Sequence, residues 1–213
     1  MNILLSATVL ASVLLSTATL AAPPDWRLAK DEDGIRVYLS QVPGSRYQSF
    51  RGEVAIKADV DTLSNLQENL RVACKWLYAC ADMRLLKNDG DDTWVYLTTA
   101  LPWPAQTRDM VIHVHSERAD DGSLTRRLEA VPGFVPAVPG QIRVSQLTGT
   151  WTLRPESDTQ TRVTYELQAE PAGDIPSWLA NQFVVDAPMV SLRTLRVVAE
   201  HQGVRPAVGE QAP

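Results

Sequence analysis

The sequence predicts an α+β fold, in which a run of antiparallel strands is followed by one long C-terminal helix. Two observations carry this. From Asp82 to Ala169 the chain offers strand after strand separated by short turns, which calls for antiparallel neighbours and not for alternating βαβ units. From Pro176 to about Gln202 the pattern turns helical, with Val185, Met189, Leu192 and Leu195 on one apolar stripe. The 213 residues suit one domain with a substantial core, and 45% hydrophobic with 21% charged residues is an ordinary globular balance.

Taken in order, Trp26 to Asp33 reads as a short lead-in containing about one helical turn. Ile35, Val37 and Leu39 alternate with Arg36, Tyr38 and Ser40, the signature of a strand. Pro43-Gly44-Ser45 turns the chain, and Tyr47 to Ile56 returns as a second strand. Asp59 or Asp61 then caps a helix in which Val60, Leu63, Leu66, Leu70 and Ala73 recur at helical spacing. Arg84 to Lys87 lead into the turn Asn88-Asp89-Gly90-Asp91, and Trp94 to Thr99 is rich in strand formers. Met110 to His115 and Leu124 to Val131 form a hairpin around Asp120-Asp121-Gly122, and Arg143 to Leu153 and Thr161 to Ala169 complete the strands. Pro176 suits the first position of the final helix, whereas Pro188 is expected to kink or split it.

Residues 1–22 stand apart. They carry no charged side chain, are apolar or small from Ile3 to Leu15, and end in Thr19 and Ala21 before Pro23-Pro24. This is the layout of a cleavable secretory signal peptide, although no Lys or Arg precedes the apolar run. The alternative is an uncleaved anchor, but Ser6, Thr8, Ser12, Ser16, Thr17 and Thr19 dilute a run that would need about 20 apolar residues to span a bilayer. The mature protein is therefore expected in the periplasm or outside the cell, with a domain over residues 23–203 and a polar tail over 204–213. An oxidising compartment favours a bridge between Cys74 and Cys80, which requires the chain to turn between them. The other reading is two buried free thiols.

The formal charge of −5 and the scattered Lys and Arg argue against a nucleic-acid partner, and Arg126-Arg127 alternate across a strand and make no patch. Three His and two Cys form no usual zinc spacing, so no metal or cofactor is implied. A Gly-x-Ser-x-Gly elbow is absent from the sequence. His113 and His115 share one face of their strand, and Met110, Ile112 and Val114 occupy the other, which suits the interior better. No residue is assigned a catalytic role.

Pro102-Trp103-Pro104, Arg108-Asp109, Gly149-Thr150-Trp151-Thr152-Leu153 and Gly173 to Asn181 follow one another in an order and spacing similar to START (StAR-related lipid-transfer) domains. The likeness extends more loosely from Gly34 to Gln202. The resemblance implies a helix-grip fold, a curved antiparallel sheet wrapped around the C-terminal helix with an internal apolar cavity. It implies binding of one hydrophobic small molecule or lipid, with transfer as an extension of that role, by a non-catalytic monomer. The alternatives are a polyketide cyclase or aromatase of the same superfamily, which would need an acid–base residue inside the sheet, and an interaction domain with a filled core.

Strand alternation makes Met110, Ile112, Val114, Leu147, Trp151 and Tyr165 candidate cavity lining, with Val185, Met189 and Leu192 as the helical roof. Members of the family often hold an acid–base pair in the cavity; the corresponding stretches here, Trp94 to Thr98 and Met110 to Val114, offer Tyr96, Thr98 and His113 but no carboxylate–arginine pair. Arg143 is the candidate polar contact if it points inward, and Arg108-Asp109 is read as a structural clamp. Phe134 to Pro139 is an apolar, proline-punctuated loop where a solvated one would be polar. The resemblance places it over the cavity entrance, where Phe134 could touch ligand and the loop could make transient membrane contact.

Overall fold

A computed structural model describes residues 23–202, apart from 104 and 176. The expected signal segment, the polar tail and the helix start at Pro176 lie outside the described residues. Among these residues, ten strands form one sheet: β1 (Arg27–Glu32), β2 (Ile35–Gln41), β3 (Gln48–Ile56), β4 (Cys80–Asp89), β5 (Asp92–Thr99), β6 (Arg108–Arg118), β7 (Leu124–Ala130), β8 (Ile142–Arg143), β9 (Gln146–Ser157) and β10 (Gln160–Glu170). Helices α1 (Val60–Glu68) and α2 (Leu70–Ala73) lie between β3 and β4, and α3 (Ser177–Gln202) follows β10. The order across the sheet is β1-β2-β3-β10-β9-β7-β6-β5-β4, antiparallel throughout, while the two-residue β8 pairs parallel to β6. The sheet curves around α3, and this is the helix-grip fold.

Three local expectations are corrected. The lead-in is strand β1, not a helical turn: it is exposed along most of its length, so no apolar pattern marks it, and it is held by backbone pairing to β2. The signal that could have revealed it is Asp33-Gly34, both at positive φ, which is the two-residue hairpin turn between Glu32 and Ile35. The first helix is not continuous to Ala73 but breaks at Asn69, whose ψ of 83° leaves the helical region. Asp59 caps it, accepting from the Thr62 N–H at 2.7 Å. The expected strand Arg143 to Leu153 is two strands on different partners, since β8 stays with β6 and β9 pairs with β7 and β10.

Pro188 neither ends nor splits α3. It packs onto Gly52 of β3, where an added Cβ would lie 2.9 Å from Pro188 Cβ and 2.7 Å from Leu192 Cδ1. The helix can sit this close to the strand because Gly52 has no side chain. Cys74 and Cys80 are bridged, with Cα atoms 4.8 Å apart across the turn that joins α2 to β4. The main core lies between the sheet, α1 and α3 and includes Ile35, Val37, Phe50, Val54, Leu63, Leu153, Met189, Leu192 and Leu195.

Candidate functional site

A cavity of about 1120 Å³ opens between the inner face of the sheet, the α1–α2 segment and the first half of α3. Odd positions of β5 and even positions of β6 face it, so Val95 and Leu97 stand beside Met110, Ile112 and Val114. Leu147 and Trp151 of β9 and Tyr165 of β10 continue the wall, and Leu179, Phe183, Ala187 and Ser191 roof it from one stripe of α3. Trp151 and Tyr165 stack at 3.8 Å, with Phe50 edge-on to Tyr165 at 5.0 Å and Trp76 edge-on to Trp151 at 5.8 Å. Burial pushes the Tyr165 hydroxyl far above its ordinary pKa, so it stays protonated and can donate.

The other seven candidates do not line this space. Tyr96 and Thr98 project from the opposite face of β5. That strand is buried on both faces from Val95 to Thr99, so its apolar pattern carries no phase. Arg143 also lies outside the cavity, paired with Asp109 at 2.8 Å and 3.1 Å and donating to the Pro132, Val135 and Pro136 carbonyls. Phe134 stacks on Trp94 at 5.7 Å, and Trp94 stacks on His113 at 4.7 Å. The 132–140 loop therefore covers the outer face of the sheet and does not border the cavity. Val185, Met189 and Leu192 fall on other sides of α3 from Ala187, and Met189 and Leu192 are fully buried in the main core. The helix buries two faces, and the apolar stripe read from the sequence follows the packing face.

The outer-face cluster has its own logic. The Tyr96 hydroxyl donates to Asp109 at 3.0 Å, and Asp109 is completely buried. Burial alone would raise the Asp109 carboxyl, but the Arg143 and Tyr96 hydrogen bonds outweigh it and hold the pKa below the ordinary carboxylate value. Arg108 is the backbone clamp, donating to the carbonyls of Gln106, Pro171 (3.4 Å) and Ala172 (3.2 Å), which ties the segment before β6 to the segment before α3. His113 and His115 share Asp92 Oδ1 at 2.6 Å and 3.0 Å on the outer face.

A charged pair that the sequence did not reveal does stand at the cavity wall. Arg126 of β7 is 7% exposed and is held by Ser64, Gln67 and Glu68 of α1. Burial holds its pKa below the ordinary arginine value, and the Glu68 carboxylate offsets only part of that. Glu68 and Arg126 are 58 positions apart, and only the packing of α1 against β7 joins them. Trp103 was also missed as a surface feature: it is 90% exposed, in the segment that joins β5 to β6, two residues after Leu101 of the cavity wall.

A curved sheet gripping a helix around a large, mostly apolar cavity defines a class of ligand-enclosing binding folds. The chain belongs to the START domain family, whose model matches residues 9–202. A protein of Pseudomonas aeruginosa described as uncharacterized is 51% identical over 92% of this chain and 98% of its own. A StAR-related lipid transfer protein of Xanthomonas axonopodis superposes with a TM-score of 0.77 at 42% identity, covering 82% of this chain and 98% of the other. Human StAR-related lipid transfer protein 5 has a TM-score of 0.74 at 16% identity (84% and 88% covered), and an aromatase/cyclase of a Streptomyces species has 0.54 at 15% (76% and 98%). At those identities the last two share the fold alone.

Proposed function

We propose that this protein binds one lipid-sized hydrophobic molecule, without catalysis, as an exported monomer. The observation that carries the reading is the cavity: its 1120 Å³ exceeds the roughly 300–1,000 Å³ of ordinary small-molecule pockets, and most of its wall is apolar. Each methylene buried there would contribute about 0.8 kcal/mol. A filled-core interaction domain would have no use for such a void. An enzyme of the cyclase kind would need a proton donor and acceptor in the cavity. The Arg126–Glu68 pair at its wall does not supply them, since an arginine does not release its proton and the carboxylate is already bonded to it. The description of the Xanthomonas relative as a lipid transfer protein supports the same reading.

Export is supported by the apolar leader pattern of residues 1–22 and by the Cys74–Cys80 bridge, which persists in oxidising compartments. Native mass spectrometry of freshly purified mature protein tests the central claim. A co-purified apolar adduct, or uptake of lipid offered in vesicles, is the expected result; a ligand-free mass together with no uptake would sink the proposal.

Membrane contact is assigned to the Trp103 segment. An indole exposed beside the cavity wall suits the bilayer interface, where the ring is apolar and its N–H remains wet. Trp103→Ala is expected to slow uptake of a fluorescent lipid from vesicles several-fold and to leave stability within about 0.5 kcal/mol, the usual range for surface changes. An unchanged uptake rate would place the contact elsewhere.

A further inference from the structure

Around Arg126 the buried polar atoms of the cavity wall that lack a partner are donors. The register sets Ser116, Arg126, Trp151 and Tyr165 side by side across four strands of the inner face. Arg126 Nη2 donates to Ser64 Oγ at 2.8 Å and to Glu68, and Nη1 donates to Gln67 Oε1. A guanidinium carries five N–H groups, so Nε–H and one Nη1–H are left over. Gln67 uses its oxygen on Arg126, and its Nε2 amide is buried without a partner; so is the Nε1–H of Trp76. All of these residues border the cavity. A buried donor without an acceptor costs about 1–3 kcal/mol, so two of them beside a void and the free N–H groups of Arg126 call for a group that supplies acceptors.

The cavity is also polarised along its length. On the inner face of β6 the sequence runs Arg108, Met110, Ile112, Val114 and then Ser116, Arg118; the Arg108 guanidinium is taken up by the carbonyls of Gln106, Pro171 and Ala172, so the stretch after it is apolar and the far end polar. At the apolar end, Met110 and Ile112 belong to a buried cluster with Val95, Leu97, Val144 and Leu147. At the polar end Arg126 is buried, while its carboxylate partner Glu68 is 62% exposed and screened by water.

We propose that the Arg126 cluster is the head-group seat of the cavity and takes an oxyanion, the carboxylate or phosphate of an amphiphile whose tail fills the apolar end. The inference rests on the lipid reading of the cavity and adds the chemistry of the head. The guanidinium supplies the charge and free N–H groups, with the Gln67 amide and the Trp76 indole beside it as further donors, and charge-assisted bonds are about twice as strong as neutral ones.

Hexadecanoate, hexadecyl phosphate and hexadecylamine share one tail and differ only in the head. Their affinities are measured by displacement of a fluorescent lipid from the wild type and from Arg126→Met and Trp76→Phe. The anions are expected to bind at least about tenfold more tightly than the amine, which corresponds to 1.4 kcal/mol. The tighter of the two anions distinguishes a carboxylate from a phosphate head. Arg126→Met is expected to erase the preference. Trp76→Phe keeps a ring in place but removes its donor, and is expected to weaken anion binding several-fold, so the test stands even if Arg126→Met does not fold. Equal affinity for all three heads, or a preference unchanged in both variants, overturns the head-group seat and leaves the cavity reading intact. If the wild type takes up neither these amphiphiles nor the fluorescent lipid, the cavity reading fails and this inference falls with it.

Discussion

Replacing Arg143 by methionine is expected to destabilise the fold by about 3–5 kcal/mol, the usual cost of leaving one member of a buried ion pair alone. Asp109 is completely buried and accepts two hydrogen bonds from Arg143, so its charge would have only the Tyr96 hydroxyl left. The same substitution frees the carbonyls of Pro132, Val135 and Pro136, and with them the anchor of the loop that carries Phe134. Against a typical total of about 5–15 kcal/mol the loss is large, and urea unfolding at neutral pH measures it.

Acid gives the sign test. In the wild type the Asp109 pKa is depressed, so its contribution to stability is fully present above the ordinary carboxylate value near 3.9 and is lost as the pH falls through the lower folded value. In Arg143→Met the unpaired, buried carboxyl is expected to have a raised pKa, and its penalty is relieved as acid protonates it. The difference between the two proteins should therefore shrink on going from pH 7 towards pH 3. A loss below about 1 kcal/mol with no pH dependence would show that the pair is not what holds the loop.

Gly52→Ala is expected to cost about 1–3 kcal/mol, although alanine in an unobstructed strand is the more stable choice by roughly 0.5–1 kcal/mol. The new methyl group would fall 2.7 Å from Leu192 Cδ1 and 2.9 Å from Pro188 Cβ, and the latter belongs to a rigid ring inside α3. The helix must lift from β3 or the strand must bend, and either loosens the core under Met189, Leu192 and Leu195. Gly133→Ala is the control, because an added Cβ there meets nothing within 4 Å. It should be neutral or stabilising. If the two substitutions behave alike in thermal unfolding, the close approach of α3 to β3 is not under the constraint described here.

Much of this architecture was legible in residue order alone. Alternation in β2, β3, β6 and β9, turn residues between strands, and helical spacing after Pro176 are local signals that survive without neighbours, and the family resemblance rested on short motifs in fixed order. Six of the thirteen candidate ligand residues line the cavity because strands such as β9 and β10 expose one face less than the other, which leaves a phase to read. Position alone did not decide the rest. β5 is buried on both faces, so Tyr96 and Val95 look alike in sequence, although Tyr96 meets Asp109 on the outer face and Val95 meets the cavity. α3 is buried on two sides, and an apolar stripe cannot say which side packs and which side encloses space. Arg143 and Arg126 carry the same side chain on neighbouring parts of one sheet. Arg143 turns outward to hold a loop. Arg126 turns inward because α1, some sixty residues earlier, brings Ser64, Gln67 and Glu68 over it. A charge can be buried only where partners from distant segments converge on it, and that convergence belongs to the tertiary structure alone.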